Sequence, residues 1–224
     1  MLGTLVNTSS VLAGSALGLA AGRKMPPRFK EVLTQALGLC VVYVGLDMAL
    51  QGARPLLTVG AVILGGVTGE LLRIQDGLEG LALWLKRTLS FGSPTFVEGL
   101  VTASVMFLAG AMTIVGCIED GVAQDPGTLY IKSVFDGVAS LALASSLGVG
   151  VAFSALTVLV VQGLLTTFST SLSFLQQPEV LNVITSTGGV LILGIGVTIL
   201  ELKKIRTANL LPALGFAVAG ALFL

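Results

Sequence analysis

The sequence predicts an all-α, polytopic transmembrane helix bundle, and three observations support that reading. Apolar residues make up 54% of the 224-residue chain and charged residues 11%, with a mean hydropathy of +0.98. The apolar residues fall into about eight runs, each near the ~20 residues a helix needs to cross a bilayer. The first three runs also recur, weakly, in the last three.

Taken in order, the first run spans 2–21. No basic residue precedes it and Arg23-Lys24 follow it, which is the wrong flank for a secretory signal and the right one for a span with its N-terminus outside. Spans 2 and 3 cover 34–51 and 55–72. Residues 74–93 form a linker in which Leu78, Leu81, Leu85 and Leu89 recur at three- and four-residue spacing beside Trp84, flanked by Asp76, Glu79, Lys86 and Arg87. That spacing predicts an amphipathic helix over Asp76–Ser90, lying on the cytoplasmic face. Span 4 covers 95–117 and span 5 covers 129–147. The fifth contains Lys132 and Asp136, but the segment 129–172 is too long for one helix across a ~30 Å core. Gly148 and Gly150 mark a natural break. Spans 6, 7 and 8 then cover 150–172, 180–200 and 207–224.

Alternating these spans from an external N-terminus places Arg23, Lys24, Arg28, Lys30, Arg73, Lys86, Arg87, Lys203, Lys204 and Arg206 inside. Only Arg54 and Lys132 fall outside, a strong positive-inside bias. Both termini are therefore expected to be extracytoplasmic.

The repeat fixes the domain organisation. Pro27, Gly38 and Gly45 return 151 residues later as Pro178, Gly189 and Gly196, with Val32 and Thr34 returning as Val183 and Thr185. Val11–Gly14 resembles Val160–Gly163 at an offset of 149. Spans 1–3 thus match spans 6–8, and a shift of five spans inverts the second copy in the membrane, as in many secondary transporters. The chain divides into a first repeat (1–73), the amphipathic linker (74–93), central spans (94–149) and a second repeat (150–224), all in one membrane domain. Gly14, Gly18 and Gly22, and again Gly65 and Gly69, make small-residue faces that suit close helix packing, within the chain or in a homodimer.

Composition also excludes functions. Lys and Arg balance Asp and Glu, and there is no His, which argues against nucleic-acid binding and against imidazole chemistry. Cys40 and Cys117 lie in apolar runs, as buried thiols do. No nucleophile–base pair and no metal-ligand cluster is visible, so neither enzyme activity nor a cofactor is expected.

Ionisable groups in hydrocarbon are costly unless paired or wetted, so each one raises a functional hypothesis. Asp47 lies near the outer end of span 2, and Thr198 stands at the matching place in the other repeat. Lys132 and Asp136 share a helix face and can neutralise each other. Ser133, Ser140, Ser145 and Ser146 continue that polar edge. Glu119 and Asp120 sit between Gly116 and Gly121, where backbone can leave the helix and a carboxylate can take a cation or proton. Asn182, Thr185, Ser186 and Thr187 precede Gly188-Gly189, and could either serve a broken helix or cap an intact one. Asp47, Glu119, Asp120, Lys132 and Asp136 are expected to converge on one hydrated cavity, since clustering lets water and opposite charge share the cost of burial.

The stretches GTLVNTSSVLAGSALGLAAGRKMP, VGCIEDG, IKSVFDGVASLALASSLGVGVAFSAL and ANLLPAL resemble a bacterial inner-membrane family, that of the domain of unknown function 554. The resemblance covers nearly the whole chain. It implies a polytopic protein of the bacterial inner membrane that transports an unsettled substrate, and about seven spans, which puts the fifth in question. It brings no assigned residues. The function expected from the repeat and the intramembrane acids is a secondary transporter of an ion or small solute. A passive pore would share the repeat without alternating access, and a scaffold or sensor would use the glycine faces and treat the acids as structural.

Overall fold

The computed structural model describes residues 1–88 and 95–223, with every side chain except those of Lys24 and Lys30. Among these residues the chain is helical, with no strand. The helices are α1 (Leu2–Lys24), α2 (Pro27–Leu50), α3 (Pro55–Leu71), α4 (Ile74–Thr88), α5 (Phe96–Leu108), α6 (Ala111–Ile118), α7 (Gly127–Leu147), α8 (Gly150–Thr167), α9 (Pro178–Ile199) and α10 (Pro212–Phe223). Proline stands first in α2, α3, α9 and α10. Its fixed φ suits the first turn, and its missing N–H is one that turn cannot use.

Four helices are long and apolar enough to cross a membrane alone: α1, α2, α8 and α9. The number rises to six if the bent pairs α3–α4 (54°) and α5–α6 (60°) each count as one span. The eight crossings expected from the sequence need α7 and α10 besides. Large apolar side chains such as Leu17, Leu39, Leu56, Phe135 and Val138 face outward, as lipid-facing residues do.

Several local features depart from the sequence reading or sharpen it. Span 2 starts earlier than expected, because α2 runs back through Arg28, Lys30 and Glu31 to Pro27. Span 4 is not one helix. It bends at Ala109–Gly110, where Gly110 is extended (φ −96°, ψ 146°) and the Ala109 carbonyl abuts Gly188 of α9. Thr113 Oγ1 donates to the Phe107 carbonyl at 3.0 Å, satisfying one acceptor that the bend frees. A single π-helical turn, Glu119–Ala123, then closes α6 and ends at Gln124 in the left-handed region. By contrast α9 runs unbroken through Asn182–Thr187, so the broken helix weighed there lies in α5–α6 instead. The break after span 5 falls at Gly148, whose φ of 81° only glycine adopts readily. The linker forms as α4, with Ala82 buried and Leu81 and Trp84 exposed; Leu89 and Ser90 lie outside the described residues.

Pairing of the helices follows the small residues. On α1, Gly14, Gly18 and Gly22 abut the carbonyls of Gly137, Leu141 and Ser145 on α7. Partners that advance together mean parallel helices. The same holds for α5 and α8, where Gly150 abuts Phe96 and Ser104 Oγ donates to Thr157 Oγ1 at 3.0 Å. In the other direction, Gly45 meets Gly189 and Gly38 approaches Gly196 across α2 and α9, which are therefore antiparallel. Gly65 meets Ala213 and Gly69 meets Asn209, with Leu57 against Gly220, so α3 and α10 are antiparallel too. Both glycine rows are thus used inside the chain.

These pairings define two ends of the bundle. One holds the α2–α3 turn, the π turn and the start of α9, where Arg54 pairs with Glu179 at 2.9 Å. The other holds the ends of α1, α3 and α9, and here Arg206 bridges Glu70 and Asp76 while Asn209 Nδ2 donates to Glu70 at 2.6 Å.

The α2–α9 crossing leaves no room for a side chain at Gly189, whereas Gly60 on α3 faces open space. We expect G189V to lose about 1–3 kcal/mol through overpacking and G60A to lose nothing. Thermal unfolding of the two purified variants in one detergent checks this, and equal midpoints would contradict the close crossing.

Candidate functional site

The densest buried chemistry lies where α1, α6, α7 and α8 meet. Asp136 is the tenth of the 21 residues of α7, roughly 13 Å along a helix of ~31 Å, so it sits near the middle. Lys132 Nζ donates to Asp136 Oδ2 at 2.6 Å, one helical turn away. Asn7 Nδ2 of α1 donates to the same oxygen at 2.9 Å. Both members of the ion pair are 6% exposed and Asn7 is fully buried. The parallel packing of α1 on α7 is what brings Asn7 there, and Ser10 Oγ adds a bond to the Ser133 carbonyl at 2.6 Å. Removing one member of such a pair would strand the other's charge in the interior, at a cost of about 3–5 kcal/mol.

Toward the end that holds the π turn, the polar track continues. Thr4 and Thr166 hydroxyls meet at 3.3 Å between α1 and α8. The Cys117 thiol lies near Thr166 and in the fields of Lys132 and Asp120. Asp120 is buried, and its Oδ2 accepts from the Gly3 backbone N–H at 3.1 Å and from the Met1 ammonium at 2.7 Å. A cavity of about 420 Å³ opens beside it, lined by Asp120, Gly121, Gln124, Pro126 and Thr166.

The opposite end has a second cavity, of about 570 Å³, between α4, the start of α5 and the end of α9. Glu79, Glu98, Glu201 and Lys204 line it, with Thr102 and Thr198 at its wall.

The expected cluster therefore forms only in part. Asp120, Lys132 and Asp136 share the α1–α6–α7–α8 quarter. Glu119 is adjacent but turned to Thr128, whose hydroxyl donates to it at 2.6 Å. Asp47 does not join. Gly38, Val41 and Gly45 make the α9-facing side of α2, and two residues past Gly45 is ~200° around a helix. Asp47 is consequently exposed and bonds Gln51 at 3.0 Å. Asn182 clasps the α2–α3 turn, accepting from the Ala53 N–H and donating to the Gln51 carbonyl, both at 2.7 Å. Thr198 lines the second cavity, with its hydroxyl bonded to the Gly194 carbonyl at 2.9 Å and accepting from Ile205 N–H at 3.2 Å.

Sequence reasoning missed Asn7, Thr4, Thr166 and Gln162. Gln162 is fully buried on α8 with neither amide atom bonded by the protein, and Asn7 Oδ1 is likewise without a partner. The available signal was an amide side chain in each of two apolar spans, which is rare enough to single out. Among the described residues no group of three acidic or cysteine side chains could hold a metal ion.

No solved structure matches the chain. It is 31% identical to the uncharacterised membrane protein YdfK of Bacillus subtilis, over 96% of this chain and 93% of that one. It is 27% identical to the uncharacterised protein YqgA of Escherichia coli, over 97% and 95% of the two chains. The profile of one family, a protein of unknown function (DUF554), matches residues 2–222. With its apolar helices and this match over nearly its whole length, the chain belongs to the membrane-protein family DUF554.

Proposed function

We propose that the protein is a secondary transporter that moves an ion or small solute across the bacterial inner membrane by alternating access. The observation that carries this reading is the pair of cavities at opposite ends of the bundle with the buried Asn7–Lys132–Asp136 layer near mid-depth of α7. Such a layout lets a solute enter from either side but leaves a packed barrier between. Midplane sites of this kind are where transporters of inverted-repeat build bind their substrates.

The repeat itself supports the reading. Under the correspondence of Gly38 with Gly189 and Gly45 with Gly196, the Gly45–Gly189 contact becomes the Gly196–Gly38 contact. A reciprocal crossing of two antiparallel helices has its two-fold axis perpendicular to both, hence in the membrane plane for helices that span it. The same axis would exchange α1 with α8 and α3 with α10, and their parallel neighbours α7 and α5 with each other. Eight crossings follow: α1, α2, α3, bent α5–α6, α7, α8, α9 and the segment Thr207–Phe223. The end rich in basic residues is then cytoplasmic and both termini are outside.

Sidedness is checked with single cysteines in a background free of Cys40 and Cys117. D125C should react with an impermeant maleimide added outside intact cells, and K203C only after the inner face is exposed. Labelling of both from one side would remove the eight-crossing topology.

Alternating access is checked at the cavity walls, with T166C facing one cavity and T102C the other. Each should react from its own side alone, and modification of one should slow reaction of the other by about an order of magnitude, as expected when two conformers exchange and one is trapped. A passive pore would let one reagent reach both positions from either side. Independent labelling rates would leave a static scaffold.

A further inference from the structure

The buried layer around Asp136 holds more acceptor oxygen than the protein satisfies. Asn7 Oδ1 and Gln162 Oε1 are fully buried and receive no hydrogen bond from any protein group. Asn7 Nδ2 is committed to Asp136, which fixes the orientation of that amide and leaves its oxygen free to coordinate. Gln162 belongs to the same layer by register. The Thr4–Thr166 contact sets the level at which antiparallel α1 and α8 meet, and one turn inward from it lie Asn7 on α1 and Gln162 on α8. A buried amide oxygen left without a partner is costly, and that cost is recovered when a ligand coordinates it.

We propose that Asn7, Asp136 and Gln162 form a binding site for a monovalent alkali cation, with the Lys132 ammonium as its built-in competitor. The donor set is hard oxygen, two amide carbonyls and one carboxylate, which suits an alkali ion and not a soft metal. A single carboxylate is too little charge for the divalent cations, which take several such ligands. Lys132 now occupies the carboxylate that the cation would use. It stands one turn nearer than Asp136 to the cavity lined by Asp120, so its long stem can release Asp136 and carry the ammonium toward that cavity, as lysine stems do near polar interfaces. The titratable groups around it are Asp136 on α7, Asp120 on the π turn with its Met1 ammonium, and the Cys117 thiol on α6; α8 contributes none. Entry of the cation and outward movement of Lys132 leave every carboxylate with a positive neighbour.

This site deepens the transporter reading but is tested by binding, which does not depend on flux. The purified full chain is melted in increasing sodium, lithium or potassium chloride, with choline chloride holding ionic strength constant. One of the alkali ions should raise the unfolding midpoint in a saturable way. K132Q should shift the half-effect to concentrations about tenfold lower by removing the competitor, and Q162L to about tenfold higher by removing one ligand. D136N should abolish the response, and if D136N does not fold, the opposite shifts of K132Q and Q162L decide the matter. No alkali response in either the parent or K132Q overturns the site, as does a response that Q162L leaves undiminished. The same protein in liposomes separates the two readings. Saturable cation binding without flux of any ion keeps the site and removes the transporter, while flux of a solute with no cation response does the reverse.

Discussion

Close approach of helix backbones is the constraint on which the rest of this structure depends. In lipid there is no hydrophobic gain from bringing two apolar helices together, so association rests on contact area and on interhelical hydrogen bonds. The chain meets that demand with glycine at each main crossing: Gly14, Gly18 and Gly22 on α7, Gly45 on Gly189, Gly65 on Ala213 of α10 and Gly69 on Asn209 just before it. A Cβ at most of these positions would collide with backbone, not with a side chain that could turn aside. The crossings therefore set helix directions and depths, and these in turn decide which polar groups can meet.

The polar layer shows the consequence. Asn7 reaches Asp136 only because the glycine ladder holds α1 parallel to α7 at short range. Lys132 needs no such help, since it lies one turn from Asp136 on the same helix. An ion pair made within one helix but completed by an amide from another couples local charge to helix packing. Movement of α1 relative to α7 would withdraw Asn7 and leave the pair less compensated. That coupling is the physical route by which a cation bound in the proposed site would bias the arrangement of helices.

Much of this organisation was legible in the sequence, for reasons that differ by element. Helix existence followed from apolar runs, and the break between α7 and α8 from Gly148, because a left-handed residue has few alternatives to glycine. The ion pair followed from spacing alone. Asp47 misled because its place in an apolar run says nothing of which way it points; the neighbours that settle this belong to α9. The bend at Gly110 was hidden for a similar reason. Its cause is partly the Gly188 face of α9 pressing on Ala109, a contact between residues far apart in sequence. Gln162 was passed over because a neutral amide costs little in composition and reveals its importance only when found buried and unbonded.

A remaining feature of the molecule is its asymmetry. The helices α7 and α5 stand in similar relation to their parallel partners α1 and α8, yet they carry different burdens. Helix α7 is continuous and carries the buried charge pair near its middle, whereas the path through α5 is interrupted by the bend before α6. A continuous helix can hold two opposite charges at fixed separation, since its backbone is satisfied internally and spends none of its polar groups on the site. A broken one frees carbonyls and amides that must find partners, as Phe107 does with Thr113. The bundle thus places rigid charge on α7 and adaptable backbone at the α5–α6 bend. Straightening the bend would have to move α6, and with it Cys117 and the π turn that carries Asp120. The wall of the cavity beside Asp120 and the polar layer beneath it are consequently tied to the discontinuous path through α5 and α6.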